Sequence, residues 1–344
     1  MNLDKLVREN VRQMKAYSSA RNMHLDGILL DANENPFDIE GSGFNRYPDP
    51  NHRDLRERLS QYHNAPVENI FVGSGSDEII DLIYRIFCIP GKDNVVIPEP
   101  TYGMYKVAAE LNDVSVKSCA LDDDFQPDTE VINQLINPDT KLIFLCSPNN
   151  PTGNLLNSER IKYIADNFDG IVLLDEAYAE FAINDSIDYL NTCPNVIVMR
   201  TFSKARGLAG LRIGYCIADK QIIDFLYRVK PPYSLNCYSQ KMAIKALNNA
   251  EKVNIKIETL LSERLRVYKF LSQQEGIDRV FQSDANFVLF RTDKSLELFN
   301  YLKKNGVIIR NRSTQLNLEN CLRITIGTPE ENDIAMNLIR KFYE

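Results

Sequence analysis

The sequence predicts an α/β fold, with a mostly parallel sheet between helices in a large domain and a smaller α+β domain after it. Between about residues 70 and 235, short apolar runs rich in β-branched residues alternate with helical patterns. Such continuous apolar runs are typical of strands that helices cover on both faces. After Pro231-Pro232 the pattern changes to a long charged helix followed by further strands. These two observations predict the two domains.

Each element follows from its own residues. The predicted strands of the large domain are 70–72, 95–97, 142–145, 171–174 and 196–198, and its clearest helices are 77–86 and 158–167. The second unit is predicted to contain a helix over 239–266 and strands over 286–291, 306–310 and 322–326. We therefore expect an N-terminal arm over 1–30 that belongs to the small domain, a large domain over 31–235 and a small domain over 236–344.

Composition narrows the class of protein. The 344 residues carry 40 Lys and Arg against 47 Asp and Glu, a net charge of −7 that argues against nucleic-acid binding. No apolar stretch is long enough to span a membrane, and the charged N-terminus is unlike a signal sequence. Seven scattered cysteines without a CxxC pair favour reduced thiols in the cytoplasm. The three histidines lack metal-ligand spacing, so we predict no metal site.

A lysine follows the strand predicted at 196–198. Lys204 lies in the run Thr201-Phe202-Ser203-Lys204-Ala205-Arg206-Gly207-Leu208-Ala209-Gly210-Leu211-Arg212, on a loop at a strand end, where open α/β sheets bind ligands. Ser203 and Arg212 offer an anion two donors there. A lysine that forms an imine and moves protons needs such a charged, half-buried setting. Taken alone, a Ser-Lys pair is more often a surface feature.

Two more loops follow predicted strands. Gly73-Ser74-Gly75-Ser76-Asp77-Glu78 opens a helix, so its backbone N–H groups can cradle a phosphate. An ordinary helix cap by Ser76 or Asp77 explains this run about as well. Ser147-Pro148-Asn149-Asn150-Pro151-Thr152-Gly153 either directs an asparagine amide toward the sheet edge or is only a rigid turn.

An acid ends the strand predicted at 171–174. A buried carboxylate at Asp175 is costly unless it meets a cation, and Tyr178 follows three residues later. A magnesium-binding acid is the alternative, but the sequence has no P-loop for it to serve. A protonated ring nitrogen is the better partner. Lysine, acid, phenol, amide and phosphate donors at successive strand ends are the set that holds pyridoxal phosphate.

With these motifs the chain resembles the fold-type I aminotransferases, and most closely the histidinol-phosphate aminotransferases. The resemblance runs nearly end to end and rests on Tyr17-Ser18-Ser19-Ala20-Arg21, Asn33-Glu34-Asn35-Pro36, Tyr47-Pro48-Asp49-Pro50, Pro100-Thr101-Tyr102-Gly103-Met104-Tyr105, Ser147-Pro148-Asn149-Asn150-Pro151-Thr152-Gly153, Asp175-Glu176-Ala177-Tyr178, Ser203-Lys204, Gly210-Leu211-Arg212 and Cys321-Leu322-Arg323-Ile324-Thr325. It implies a seven-stranded, mostly parallel sheet in the large domain.

The resemblance also implies roles toward the cofactor. Lys204 carries pyridoxal phosphate through an imine and moves the proton between Cα and C4′, while Asp175 pairs with the ring nitrogen. Tyr178 and Asn149 bond O3′, and Tyr102 stacks on the ring. The residues implied around the phosphate are Gly75, Ser76, Asp77, Ser203, Arg212 and, from a partner subunit, Tyr47. Asp77 would repel a phosphate, so we expect its carboxylate to bond backbone or solvent instead.

Substrate binding is implied for Arg323, Arg310, Tyr17 and Asn33. In relatives of this kind, the arginine at 323 receives the carboxylate of glutamate or the phosphate of histidinol phosphate, helped by the arginine at 310 and by Tyr17. Two arginines exceed what one carboxylate requires and fit a dianion better. The alternative for Arg310 is a solvated strand-end residue.

The resemblance implies transamination between histidinol phosphate and 2-oxoglutarate, giving imidazole-acetol phosphate and glutamate, in a homodimeric enzyme of histidine biosynthesis. An aromatic or branched-chain aminotransferase, or a threonine-phosphate decarboxylase, is the nearest alternative on the same scaffold. A non-catalytic regulator with this fold would need an added basic domain, and only about 30 residues precede the core. A dinucleotide-binding oxidoreductase would need the glycine fingerprint that this sequence lacks.

Overall fold

A computed structural model describes residues 3–17, 19, 21, 27–182 and 189–344. Its helices are α1 (Leu3–Leu6), α2 (Glu9–Gln13), α3 (Arg53–His63), α4 (Ser76–Phe87), α5 (Met104–Leu111), α6 (Thr129–Leu135), α7 (Ser158–Asp166), α8 (Tyr189–Thr192), α9 (Lys220–Val229), α10 (Cys237–Asn248), α11 (Ala250–Gln273), α12 (Ser295–Lys304) and α13 (Pro329–Tyr343). Its strands are β1 (Ile70–Gly73), β2 (Asn94–Glu99), β3 (Ser115–Ala120), β4 (Thr140–Cys146), β5 (Ile171–Asp175), β6 (Val196–Thr201), β7 (Gly214–Ile217), β8 (Arg279–Val280), β9 (Phe287–Arg291), β10 (Arg310–Asn311) and β11 (Cys321–Thr325).

The large sheet has seven strands in the order β1-β7-β6-β5-β4-β2-β3. Only β7 runs against its neighbours, β1 and β6, so the predicted mostly parallel seven-stranded sheet is confirmed. The five strands predicted individually are present. The strands β3 and β7 were missed, because β3 is an edge strand with mainly exposed or half-buried residues and β7 is four residues long and begins at a glycine.

Helices cover both faces of this sheet. Along β2, Val95 and Ile97 pack into one apolar cluster with α4, α5 and α9, whereas Val96 packs into the other cluster with α6 and α7. Successive side chains of a strand point to opposite faces, so a strand buried on both faces has no polar positions. This is the physical reason for the continuous apolar runs in the sequence.

The small domain contains an antiparallel sheet in the order β10-β11-β9-β8, and α11, α12 and α13 supply the rest of its core. The strands predicted at 286–291 and 322–326 are present within one residue. The strand predicted at 306–310 is only two residues long, Arg310–Asn311. The helix predicted over 239–266 is two helices, α10 and α11, which meet at Asn249.

The predicted domain bounds differ from the packing at two places. The arm was assigned to the small domain, but Leu3, Val7 and Val11 lie in the core of the large domain, and the Arg8 backbone N–H donates to Ile86 O at 3.0 Å. Residues of α10 pack with α3 and β1 in one apolar cluster. Residues 3–13 and 237–248 therefore belong to the large domain, because their apolar side chains find partners there.

Among the described residues, none of the helices has the length and apolar character required to cross a membrane. The seven cysteines form no disulfide, and six of them are buried.

Candidate active site

A cavity of about 540 Å³ lies where the parallel strands of the large sheet end and the small domain begins. It brings together ten of the residues predicted from the sequence: Ser76, Asp77, Tyr102, Asp175, Tyr178, Ser203, Lys204, Arg212, Arg310 and Arg323. The topology explains this meeting, because the carboxyl ends of parallel strands share one edge of the sheet. The strand β7 runs the other way, so it is the segment before it, with Arg212, that reaches the same edge.

Lys204 lies on the loop after β6 and lines this cavity. Its Nζ lies 5.6 Å from the centre of the Tyr178 ring. Burial lowers the pKa of Lys204, and the nearby positive charge of Arg323 lowers it further. A lower pKa leaves more of the amine neutral, and only the neutral amine attacks a carbonyl. The charged setting predicted for this lysine is therefore present, although its side chain is exposed and not half-buried.

Asp175 is the last residue of β5, and its side chain is buried. Burial raises the pKa of Asp175 to about 6, although two hydrogen bonds oppose that shift. The Tyr105 hydroxyl donates to Oδ2 at 2.6 Å, and the Ala177 backbone N–H donates to Oδ1 at 3.0 Å. No cationic side chain of the described residues bonds this carboxylate, so it faces the cavity as an acid suited to a positively charged ligand group.

The loop before α4 fits the predicted anion cradle. Gly75 has φ +84°, and a Cβ there would lie 2.7 Å from Nη2 of Arg212. On β7, which pairs with β1, a Cβ on Gly214 would lie 2.3 Å from the Ser76 backbone N. Gly75 needs glycine because its φ is positive, and Gly214 needs glycine because a side chain there would collide with the backbone of Gly75 and Ser76. The backbone N–H groups of Ser74 and Gly75 already donate to Glu78 and to Gly73 O, so it is the start of α4 at Ser76 that lies close to the Arg212 guanidinium.

Asp77 differs from its prediction. Its carboxylate accepts a hydrogen bond from the Tyr102 hydroxyl at 3.2 Å and forms an ion pair with Arg212 at 3.2 Å. It was expected to bond backbone or solvent, and that expectation was wrong. Asp77 therefore orients Tyr102 and Arg212, which line the same cavity.

The asparagine prediction needs a correction as well. The Asn149 amide is buried in its loop, where it donates to Pro100 O at 2.9 Å and to Thr152 Oγ1 at 2.8 Å, and its oxygen accepts from Thr101 at 2.9 Å. Both N–H donors are used, so Asn149 has none left for a ligand in the cavity. Its neighbour Asn150 lines the cavity instead.

Asn150 links two other predicted site residues. Its amide donates to the Tyr178 hydroxyl at 3.4 Å, and its oxygen accepts from Nη1 of Arg323. The sequence offered two adjacent asparagines, and the fold of the loop decides which one faces the cavity. Nothing in the run Asn149-Asn150 by itself separates them.

Arg310 and Arg323 lie opposite each other on the neighbouring strands β10 and β11. Burial and, next in size, the positive charge of Arg312 together lower the pKa of Arg323 to about 10. The Arg323 guanidinium also lies over the Phe287 ring, 4.9 Å from its centre. Arg310 begins β10 and its side chain is exposed, as expected for a solvated strand-end residue, and it also lines the cavity.

Besides Gly75 and Asn149, which lie in loops beside the cavity, three predicted residues lie away from it in the single chain. Tyr47 and Asn33 line a second hollow of about 530 Å³, where the Tyr47 ring stacks on Tyr233 at 4.4 Å. Tyr17 lies in a third hollow, beside Tyr227. Asn33 and Tyr17 were predicted to bind the substrate, and within one chain they do not reach the cavity.

Two residues without a predicted role line or contact the site. Tyr105 donates the short hydrogen bond to Asp175; it belongs to the motif Pro100–Tyr105 that supported the resemblance, but its spacing alone gave no role. Arg312 lines the cavity beside Arg310. The signal for Arg312 was its position two residues after Arg310, which on a strand places both side chains on one face.

Comparison with known proteins agrees with this geometry. A family model described as "Aminotransferase class I and II" matches residues 20–339, most of the chain. The chain belongs to the class I and II aminotransferases. The relatives of this aminotransferase include the histidinol-phosphate aminotransferase of Christiangramia forsetii, which is 45% identical over 348 residues, covering 100% of this chain and 98% of the relative.

Two solved structures resemble this aminotransferase in fold. The histidinol-phosphate aminotransferase from Clostridium acetobutylicum has a TM-score of 0.80 at 25% identity, covering 87% of this chain and 91% of that one. The enzyme of the same name from Sinorhizobium meliloti, in complex with pyridoxal-5'-phosphate, has a TM-score of 0.79 at 26% identity. The match covers 86% of this chain and 83% of that one. Both comparisons extend over the large and the small domain.

Proposed function

We propose that this aminotransferase binds pyridoxal phosphate and transfers the amino group of histidinol phosphate to 2-oxoglutarate, giving imidazole-acetol phosphate and glutamate. The observation that carries the proposal is one cavity that is lined by Lys204 and the buried Asp175 of the large domain and, on the wall that the small domain supplies, by the arginine pair Arg310 and Arg323. The names of relatives that are 41–45% identical over nearly the full chain support the same substrate.

The residues of the cavity fit the proposed cofactor. The glycine cradle at Gly75 and the guanidinium of Arg212 suit its phosphate, and the buried carboxylate of Asp175 suits its ring nitrogen. Lys204 provides the amine for its aldehyde. When bound, pyridoxal phosphate supplies an aldehyde that accepts the amino group and a ring that withdraws electrons from the substrate Cα.

Each side chain then has a definite task. Lys204, with its lowered pKa, would accept the proton from the substrate Cα and pass it to C4′ of the cofactor. Asp175 would keep a proton on the ring nitrogen, which strengthens electron withdrawal. Tyr178 and Asn150, which are hydrogen-bonded to each other, would hold the ring oxygen. Because the amino group is held between two half-reactions, the kinetics are ping-pong.

The arginines bind whichever anion the substrate carries. A guanidinium is planar and donates two parallel hydrogen bonds to a carboxylate or a phosphate. Glutamate presents a carboxylate and histidinol phosphate presents a dianionic ester, and both must bind the same enzyme in turn. Two or more cations on this wall favour the dianion.

Half-reactions test this proposal directly. The purified enzyme with bound pyridoxal phosphate is mixed with histidinol phosphate without a keto acid, and the visible absorbance is followed. We expect rapid loss of the visible band of the enzyme-bound cofactor, followed by its return on addition of 2-oxoglutarate. If tyrosine converts the cofactor and histidinol phosphate does not, the substrate assignment is wrong and the aromatic aminotransferase is correct. Release of CO₂ from threonine phosphate would instead identify the decarboxylase.

We also propose that two copies of the chain form a homodimer in which Tyr47 contacts the cofactor phosphate of the partner. Large apolar side chains near Tyr47 are exposed in the single chain, namely Ile28, Leu30, Phe37 and Ile39. Clustered apolar exposure of this kind is typical of a protein interface. The second hollow, with Tyr47 and Asn33, lies beside this segment.

Mixing two inactive variants tests the dimer. Lys204→Ala subunits are unfolded and refolded together with Tyr47→Ala subunits in equal amounts. A hybrid dimer contains one site with both native residues, so the mixture is expected to regain about a quarter of wild-type activity. The separate variants, treated in the same way, are the control. Activity no higher than their average would contradict a shared site.

A further inference from the structure

The wall that the small domain supplies to the cavity carries a third arginine, Arg312, beside Arg310 and Arg323. The Arg312 backbone N–H donates to Cys321 O at 2.8 Å, which continues the pairing of β10 with β11 beyond Asn311. Residues two apart on a strand share a face, so Arg312 lies on the same face as Arg310. Arg323 stands directly opposite Arg310 in the register. All three side chains line the cavity.

Three like charges on one sheet face repel each other. Burial lowers the pKa of Arg312, and the charge of Arg310 lowers it further. Facing cations of this kind destabilise a sheet unless an anion lies between them. The acids that line the cavity, Asp77 and Asp175, accept hydrogen bonds from Tyr102 and Tyr105 and not from these arginines.

Buried polar atoms on this wall also lack partners. Within the described part of the chain, two buried donors here, Nε of Arg312 and Nε of Arg323, have no hydrogen bond, and neither does the acceptor Oε1 of Gln315. Buried donors are almost always paired in native proteins, so unpaired donors beside a cavity indicate a ligand. A carboxylate has two oxygens and one charge, whereas a phosphate ester has three terminal oxygens and close to two charges. Only the phosphate ester matches three guanidiniums.

We propose that Arg312 is a substrate-specificity residue that, together with Arg310 and Arg323, binds the phosphate group of a phosphorylated amine substrate. This inference rests on the proposed function for the identity of the amine. It assigns to Arg312 the preference for a phosphate over a carboxylate, since Arg323 and Arg310 are sufficient for the carboxylate of glutamate.

The test uses the enzyme with bound pyridoxal phosphate, so that the cofactor's own phosphate site is filled. Arg312→Gln removes the charge and keeps most of the side-chain length, and Arg312→Lys keeps the charge. We expect Arg312→Gln to raise the KM for histidinol phosphate roughly 10–100-fold, the effect of losing a charge-assisted hydrogen bond. The KM for glutamate in the reverse direction should change less than about threefold, and Arg312→Lys should lie between. Arg340→Gln, on the exposed face of α13, is the matched control.

Thermal unfolding gives a readout that does not depend on activity. Inorganic phosphate should raise the Tm of the wild type, with sodium chloride at equal ionic strength as the reference. The midpoint of that rise should move to roughly 10-fold higher phosphate in Arg312→Gln. Without phosphate, the Tm of Arg312→Gln should equal or exceed that of the wild type, because a repulsive charge has been removed. A merely structural role for Arg312 predicts a lower Tm instead.

The outcomes separate this inference from the proposed function. If the wild type uses histidinol phosphate and Arg312→Gln has unchanged KM and phosphate midpoint, the role of Arg312 is overturned while the function stands. If the wild type does not use histidinol phosphate but Arg312→Gln still weakens phosphate binding, the phosphate site is supported and the function is wrong. A lower Tm with unchanged phosphate binding also overturns the inference.

Discussion

Replacing Lys204 by alanine is expected to lower kcat for amine transfer by at least about 10⁴-fold, which is the scale of losing a general base that also holds the cofactor covalently. The physical reason is that this one amine lines the cavity near Tyr178 and has a lowered pKa. Within the described residues no other lysine lines the cavity, so no neighbour can replace it. The measurement is steady-state turnover of histidinol phosphate with 2-oxoglutarate.

Two further measurements make this result specific. Borohydride reduction of the wild type should fix the cofactor on the peptide that contains Lys204, and the variant should yield no such peptide. The Tm should change little, because the side chain opens into the cavity and packs in no core. Lys204→Arg, which keeps the charge but cannot condense with an aldehyde, should be as inactive as Lys204→Ala. Turnover near the wild-type rate in either variant would refute the mechanism.

Replacing Asp175 by asparagine is expected to lower kcat roughly 10³-fold, because a buried charge next to the reacting group is replaced by a neutral amide of the same shape. The amide keeps the size of the side chain and can still accept the hydrogen bond from Tyr105. The loss should therefore lie in kcat, with a smaller change in KM for either substrate. A variant with normal kcat would show that the carboxylate does not act on the cofactor.

Asp175→Asn is expected to stabilise the cofactor-free protein at neutral pH, although it lowers kcat. Burial raises the folded-state pKa of Asp175 to about 6, above its ordinary value of 3.8. The folded state therefore binds the proton more tightly, and stability falls as the pH rises from about 4 to above 6. This difference between the two pKa values corresponds to about 3 kcal/mol of folding free energy. The folded protein has this stabilisation below pH 4 and loses it above pH 6.

Urea unfolding of the cofactor-free proteins at several pH values measures this effect. Asp175→Asn should be more stable than the wild type at pH 8, and the difference should disappear as the pH approaches 4. Asp122→Asn is an instructive contrast, since hydrogen bonds from Gln126 and Arg160 hold the pKa of that acid below its usual range and its loss should destabilise the protein near neutral pH. Equal pH profiles for Asp175→Asn and the wild type would contradict the assigned burial.

Local features of the chain were sufficient to predict much of this protein. Strands buried on both faces have no polar positions, so their apolar runs were visible, and so were the functional groups that end them at Asp175 and Lys204. The edge strand Ser115–Ala120 was not visible, because its exposed residues lack that pattern. Residues 3–13 were assigned to the small domain, because only packing shows which core receives Leu3, Val7 and Val11.

The amino-acid sequence by itself determined the fold class, the family and the order of functional groups along the chain, because these depend on local pattern and on residue identity. Tertiary structure alone decided that Asn150 rather than Asn149 faces the cavity, that Asp77 pairs with Arg212, and that Arg312 joins the arginine pair. Each of these depends on the direction in which a side chain leaves its loop or strand. That direction is set by contacts between residues far apart in the chain, which no local pattern contains.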